Sequence, residues 1–117
     1  MSDAMTARHL GSGDVAVLGT PVVVQLIERA AVAALEGKVP DGQTTVGVAV
    51  RVRHRAPTPV GAAVRAQATV EEVRGGRIQF SCEVSDPSGP VAEAMHARVV
   101  VDRQRFEADA ANRGGTS

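Results

Sequence analysis

The sequence predicts an α+β protein in which one long, curved antiparallel sheet wraps around a single central helix. Three observations carry that expectation. Residues 19–36 are the only long segment with helical periodicity, and this segment is apolar around most of its circumference. From Thr44 onward the period changes to two and persists through long runs. The chain has no Trp or Tyr, and Phe80 and Phe106 are its only phenylalanines, so valine and alanine must fill the interior. Small β-branched side chains suit a sheet pressed closely against a helix.

The helix has a marked start. Thr20 is a favoured N-cap residue, and Pro21 suits the first helical position, where a missing N–H costs nothing. Val22, Val23, Val24, Leu26, Ile27, Ala30, Ala31, Val32, Ala34 and Leu35 form the apolar surface. Gln25, Glu28, Arg29 and Glu36 fall on one side at helical spacing. Gly37 is placed as a stop, and Pro40-Asp41-Gly42 as a turn. Ahead of the helix, residues 6–10 read as an edge strand or an ordered arm, and residues 14–18 as a short apolar lead-in.

The strands follow. In residues 44–55, Val46, Val48, Val50 and Val52 share one face, with Arg51, Arg53 and Arg55 on the other. His54 is in phase with the valines and, unless a bulge intervenes, points toward the helix. Residues 62–73 turn Val64, Ala66, Ala68 and Val70 inward, and Gly75-Gly76 makes a tight hairpin turn. Residues 77–85 turn Ile78, Phe80, Cys82 and Val84 inward. After the turn at Asp86-Pro87-Ser88-Gly89, residues 91–102 place Val91, Met95, Ala97, Val99 and Val101 on one face. Ala92, Ala94, His96, Arg98 and Val100 take the other. Three strands of about 9 to 12 residues exceed the usual 5 to 6, so they must curl around something, and only the helix is available. That is the hotdog architecture. Residues 1–106 are expected to form this single domain and residues 107–117 a disordered tail.

The composition excludes several functions. Lysine plus arginine equals aspartate plus glutamate at 13 each, which disfavours nucleic acid as a partner. The single cysteine, Cys82, allows no internal disulfide and fits a reducing compartment. With no leader-like or membrane-spanning pattern, a soluble, cytoplasmic protein is expected. The small aliphatic core leaves little surplus stability, which makes a homodimer plausible as the folded unit.

His9, His54 and His96 lack metal-ligand spacing, so no metal is expected. There is no phosphate-binding glycine loop, no G-x-S-x-G elbow and no Asp-x4-His hydratase signature. Cys82 reads as core. Three polar residues stand out. Thr20 is either a helix cap or a reactive hydroxyl. Glu28 is either part of a solvated stripe or a working carboxylate. His54 is either a satisfied strand histidine or a base. A hydroxyl, a carboxylate and an imidazole are the parts of a nucleophile–base–orienter set, but periodicity does not show that they meet. The arginine row is either a solvated face or a seat for anionic phosphates.

The ordered motifs resemble the fluoroacetyl-CoA thioesterase-like family of hotdog thioesterases over residues 15–106. The family's V-L-x-T-P start, with a carboxylate eight residues after the threonine, is matched by Val17-Leu18-Gly19-Thr20-Pro21 and Glu28. Its T-T-V-G strand opening is matched by Thr44-Thr45-Val46-Gly47, and its R-H-x-x-x-T-P-x-G segment by Arg53-His54, Thr58-Pro59 and Gly61. Its closing G-x-H-x-R strand is similar to Ala94-Met95-His96-Ala97-Arg98, with alanine where glycine is usual, and its D-x-x-x-F end to Asp102 and Phe106.

The resemblance implies hydrolysis of a short acyl-CoA thioester by a homodimer, without metal or organic cofactor. It places Thr20, Glu28 and His54 at catalytic positions, with His54 as general base and Glu28 or Thr20 as nucleophile or water-positioning group. It places Gly47, His96 and Arg98 at substrate-binding positions. Residues 11–14 offer no aromatic lid, which leaves selectivity for a fluorinated acyl group open. A non-catalytic dimeric module that binds an acyl thioester is the alternative, and a hydratase is disfavoured.

Overall fold

The computed structural model describes residues 1–11 and 13–115. After a 3-10 turn at Asp3–Met5 come the one-turn helix α1 (Ala7–Leu10) and the central helix α2 (Thr20–Ala34). Four strands follow: β1 (Gln43–His54), β2 (Arg65–Arg74), β3 (Arg77–Asp86) and β4 (Gly89–Asp102). The chain closes with α3 (Arg103–Gly115).

The strands form one antiparallel sheet in the order β1-β4-β3-β2, so β1 and β2 are its edges. The sheet curves around α2, which buries Val22, Val23, Ile27 and Ala31 against it. Ile78, Phe80, Cys82 and Val84 supply β3's share of that core, as their alternation predicts. On β4 the inner face is Ala92, Ala94 and His96, continuing to Arg98, because these pair across the sheet with Val84, Cys82, Phe80 and Ile78. A buried histidine and a buried arginine therefore share the core face with small alanines.

Strand β1 departs from the predicted pattern. Gly47 pairs with Arg98 and Ala49 with Ala97, leaving Val48 as a bulge. Before the bulge Thr45 and Gly47 face inward, opposite Val100 and Arg98; after it Val50, Val52 and His54 do, opposite His96, Ala94 and Ala92. The four valines do not share one face. Val48 is about half exposed, while Val52 packs on the core. The inserted residue changes which parity faces the helix, and His54 still points inward.

The N-terminal segment is not an edge strand. Residues 7–10 form a helical turn capped by Thr6, whose hydroxyl accepts from the His9 N–H at 3.1 Å, and Gly11 ends the turn at φ 75°. An apolar-polar mix of five residues is too short to distinguish a turn of helix from a strand, and the cap decides it. This arm seats the entry to α2: Gly19 N–H donates to the Met5 carbonyl at 2.8 Å and Leu18 N–H to the Thr58 carbonyl at 3.0 Å.

Where the composition predicts a disordered tail over residues 107–117, the chain continues as α3 to Gly115, and residues 116–117 lie outside the described residues. Asp102 accepts from the Arg105 N–H at 2.9 Å as its cap, and the alanine-rich sequence that follows favours helix. Its residues from Arg103 to Gly114 are exposed.

Candidate active site

The predicted polar residues fall into two clusters along α2. The first is at its N-terminus. Gly19, not Thr20, is the N-cap, and Thr20 is already helical. Its hydroxyl makes no cap bond. Thr20 Oγ1 instead lies 3.0 Å from His54 Nδ1, at the end of β1. The cap reading fails because Gly19 takes the extended conformation, at φ −77° and ψ 142°. The hydroxyl is free to meet the imidazole. When Nδ1 accepts that hydroxyl proton, the ring's own proton is on Nε2, which is buried and has no partner among the described residues.

The second cluster lies two helical turns on. Glu28 Oε2 is 3.5 Å from Arg98 Nη1, and the arginine side chain is only 8% exposed against 42% for the glutamate. A buried cation holds this carboxylate, so Glu28 is more than a member of a solvated stripe. Arg98 Nη1 also donates to His96 Nε2 at 3.3 Å, and His96 Nδ1 donates to the Ala49 carbonyl at 2.8 Å. Because arginine only donates and a carbonyl only accepts, His96 carries its proton on Nδ1. Phe80 stacks on its ring with centroids 6.0 Å apart.

Gly47 stands between these groups. A Cβ there would sit 2.8 Å from Glu28 Oε2 and 3.3 Å from both Arg98 Nη1 and His96 Cε1. The glycine is what lets the carboxylate reach the sheet. An open groove of about 640 Å³ runs beside the cluster, lined by Glu28, Arg29, Val32, Ala33, Glu36 and Arg98.

The structure thus brings Thr20 to His54, and Glu28 to Gly47, His96 and Arg98. It does not bring Glu28 to His54 within one chain, since eight residues of helix put Thr20 and Glu28 about 12 Å apart. Thr45, which the sequence marks only as part of the T-T-V-G strand opening, accepts from Arg98 Nε at 3.0 Å through Oγ1 and from Nη2 at 3.0 Å through its carbonyl. Nothing in the apparent valine alternation of residues 44–55 marks it, because the bulge hides its inward phase. Of the predicted arginine row, Arg55 is paired with Glu93 at 2.6 Å. Ser12, in the segment compared with a lid, lies outside the described residues.

A single apolar helix enclosed by a continuous antiparallel sheet, with polar groups at the helix–sheet junction, defines a hotdog-fold protein. The chain belongs to the fluoroacetyl-CoA-specific thioesterase family, whose pattern matches residues 1–104. It is 30% identical over 92 residues to the fluoroacetyl-CoA thioesterase of Streptantibioticus cattleyicolor, a match spanning 79% of this chain but 66% of that enzyme's length. Among solved structures it resembles a variant of the fluoroacetyl-CoA-specific thioesterase in complex with fluoroacetate and CoA, with TM-score 0.85 and 28% identity. That match covers 91% of this chain and 90% of the other. It also resembles a hot-dog-like protein from Thermanaerovibrio acidaminovorans, with TM-score 0.89 and 30% identity, covering 97% and 84%.

Proposed function

We propose that this protein is an acyl-CoA thioesterase that hydrolyses a small acyl thioester to the free acid and CoA. The observation that carries the reading is the Thr20 Oγ1–His54 Nδ1 contact of 3.0 Å, a hydroxyl beside a base at the mouth of the fold. His54 takes the hydroxyl proton as Thr20 attacks the thioester carbon. The C–S bond breaks, and the proton returns to the leaving thiolate. Water then attacks the acyl-threonine ester, giving its proton to His54, and the acid leaves as the threonine hydroxyl reforms. Glu28, 3.5 Å from Arg98, orients that water, and the backbone at Gly47 is taken to line the thioester carbonyl.

The working unit in this reading is a homodimer. Edge strand β1 has β4 on one side only and offers unpaired backbone groups on the other. A second copy pairing there brings its Glu28 cluster toward the Thr20–His54 pair, which one chain keeps apart. The family's CoA-bound relative supports CoA as the carrier.

Thiol release from a panel of short, branched and aryl acyl-CoAs tests the proposal. Turnover of a short member supports it. Ligand-induced stabilisation without turnover of any member replaces it with a binding module.

A further inference from the structure

We infer that Thr45 is a positioning residue of the site, the anchor that sets where the Arg98 guanidinium meets Glu28. The inference rests on the reading of Glu28 as a working carboxylate.

Arg98 is a long side chain in a core of small ones, and its four-bond stem has many rotamers to lose. Its position is therefore decided by what its N–H groups find. Thr45 receives two of them, Nε on the hydroxyl and Nη2 on the carbonyl, each at 3.0 Å. This grips the guanidinium along one edge and leaves Nη1 directed at His96 Nε2 and Glu28 Oε2. Register makes the grip possible. Thr45 pairs with Val100 and Gly47 with Arg98, so Thr45 is the diagonal neighbour of Arg98 on the inner face.

The bulge at Val48 divides the work between two histidine- and arginine-bearing positions of β4. Arg98 is tied to β1 before the bulge, at Thr45, and His96 after it, at the Ala49 carbonyl. Both ties converge on the Gly47 gap through which Glu28 approaches. Valine in place of Thr45 keeps the shape and β-propensity of the strand but leaves the buried Nε–H without an acceptor. Serine keeps the acceptor.

The test compares wild type with Thr45→Val, Thr45→Ser and Glu28→Gln, singly and with Thr45→Val combined with Glu28→Gln. Thr45→Val is expected to lower kcat roughly tenfold with KM nearly unchanged, the size expected for one hydrogen bond to a charged group. Thr45→Ser restores most of it, and in the Glu28→Gln background Thr45→Val has no further effect. Crystal structures of Thr45→Val and wild type give a readout that needs no turnover: Arg98 Nη1 leaves Glu28 in the variant. A Thr45→Val protein with unchanged kcat, or with Arg98 in place, overturns the inference. So does an equal loss in both backgrounds, which marks a merely structural role. If no acyl-CoA is turned over, or if Glu28→Gln is fully active, the functional reading of Glu28 fails instead, and the crystallographic arm still decides whether Thr45 holds Arg98.

Discussion

Thr20 begins helix α2 without capping it: its Oγ1 lies 3.0 Å from His54 Nδ1, while Gly19 occupies the cap position. A hydroxyl that does no structural work for its own helix should be separable from stability. Removing a true threonine cap costs about 1 kcal/mol. Thr20→Ala is expected to change unfolding free energy by less than about 0.5 kcal/mol, yet to lower kcat by about 100-fold. Thr20→Ser should retain most activity. Denaturant titration and thiol-release kinetics on the same preparations check both halves, and full activity in Thr20→Ala would transfer the attack to Glu28 or water.

His54 has a buried Nε2 with no partner among the described residues. An unmet buried polar atom costs stability and is retained where function needs it. His54→Leu fills similar space without that atom. It should leave the protein as stable as wild type or up to about 1 kcal/mol more so, with activity reduced at least about 100-fold. Thermal unfolding and turnover measured together decide it.

Thr20 and Glu28 are one helix but two clusters, so a shared dimeric site makes a specific demand. Coexpressed Glu28→Gln and His54→Leu chains, each strongly impaired but measurable alone, should form mixed dimers with one intact site. Random pairing in a two-fold dimer then restores about one quarter of wild-type activity. No recovery, with mixed dimers demonstrated by differential tagging, would place the whole site within one chain.

Gly47 is open to a direct steric test. The Cβ of Gly47→Ala would lie 2.8 Å from Glu28 Oε2, the free end of a flexible side chain, so the carboxylate moves rather than the strand. Stability is expected to change by less than about 1 kcal/mol, since alanine also restricts the unfolded chain. Activity should fall roughly tenfold or more because the carboxylate is displaced from its working position. Paired unfolding and kinetic measurements check the contrast.

Cys82 faces the core, and burial pushes its thiol from 9.0 up to about 11. The thiolate is the reactive form, so alkylation of the native protein at pH 8 should be slow and should become fast on unfolding. The folded pKa is raised, so the contribution to stability is complete below pH 9.0 and is lost as pH rises through about 11. Cys82→Ala should lose less stability than wild type over that window in pH-dependent denaturation.

Much of this protein was determined locally. Ile78, Phe80, Cys82 and Val84 alternate without interruption, and β3 buries all four. The apolar surface of α2, the hairpin at Gly75 and the hotdog arrangement follow from periodicity and turn chemistry that act over a few residues. Family motifs in order along the chain drew Thr20, Glu28, His54, His96 and Arg98 together as candidates. Tertiary structure decided what those residues do to one another. The Val48 bulge is set by pairing with β4, a strand over forty residues away, and it turns Thr45 and Gly47 inward against the apparent valine pattern. Gly19 caps α2 because the N-terminal arm holds its backbone, and that releases Thr20 to His54. Arg98 reaches Glu28 only because Gly47 leaves room and Thr45 leaves an acceptor. Propensity acts on neighbours in sequence, whereas a bulge, a gap and a buried ion pair exist only once distant strands have met.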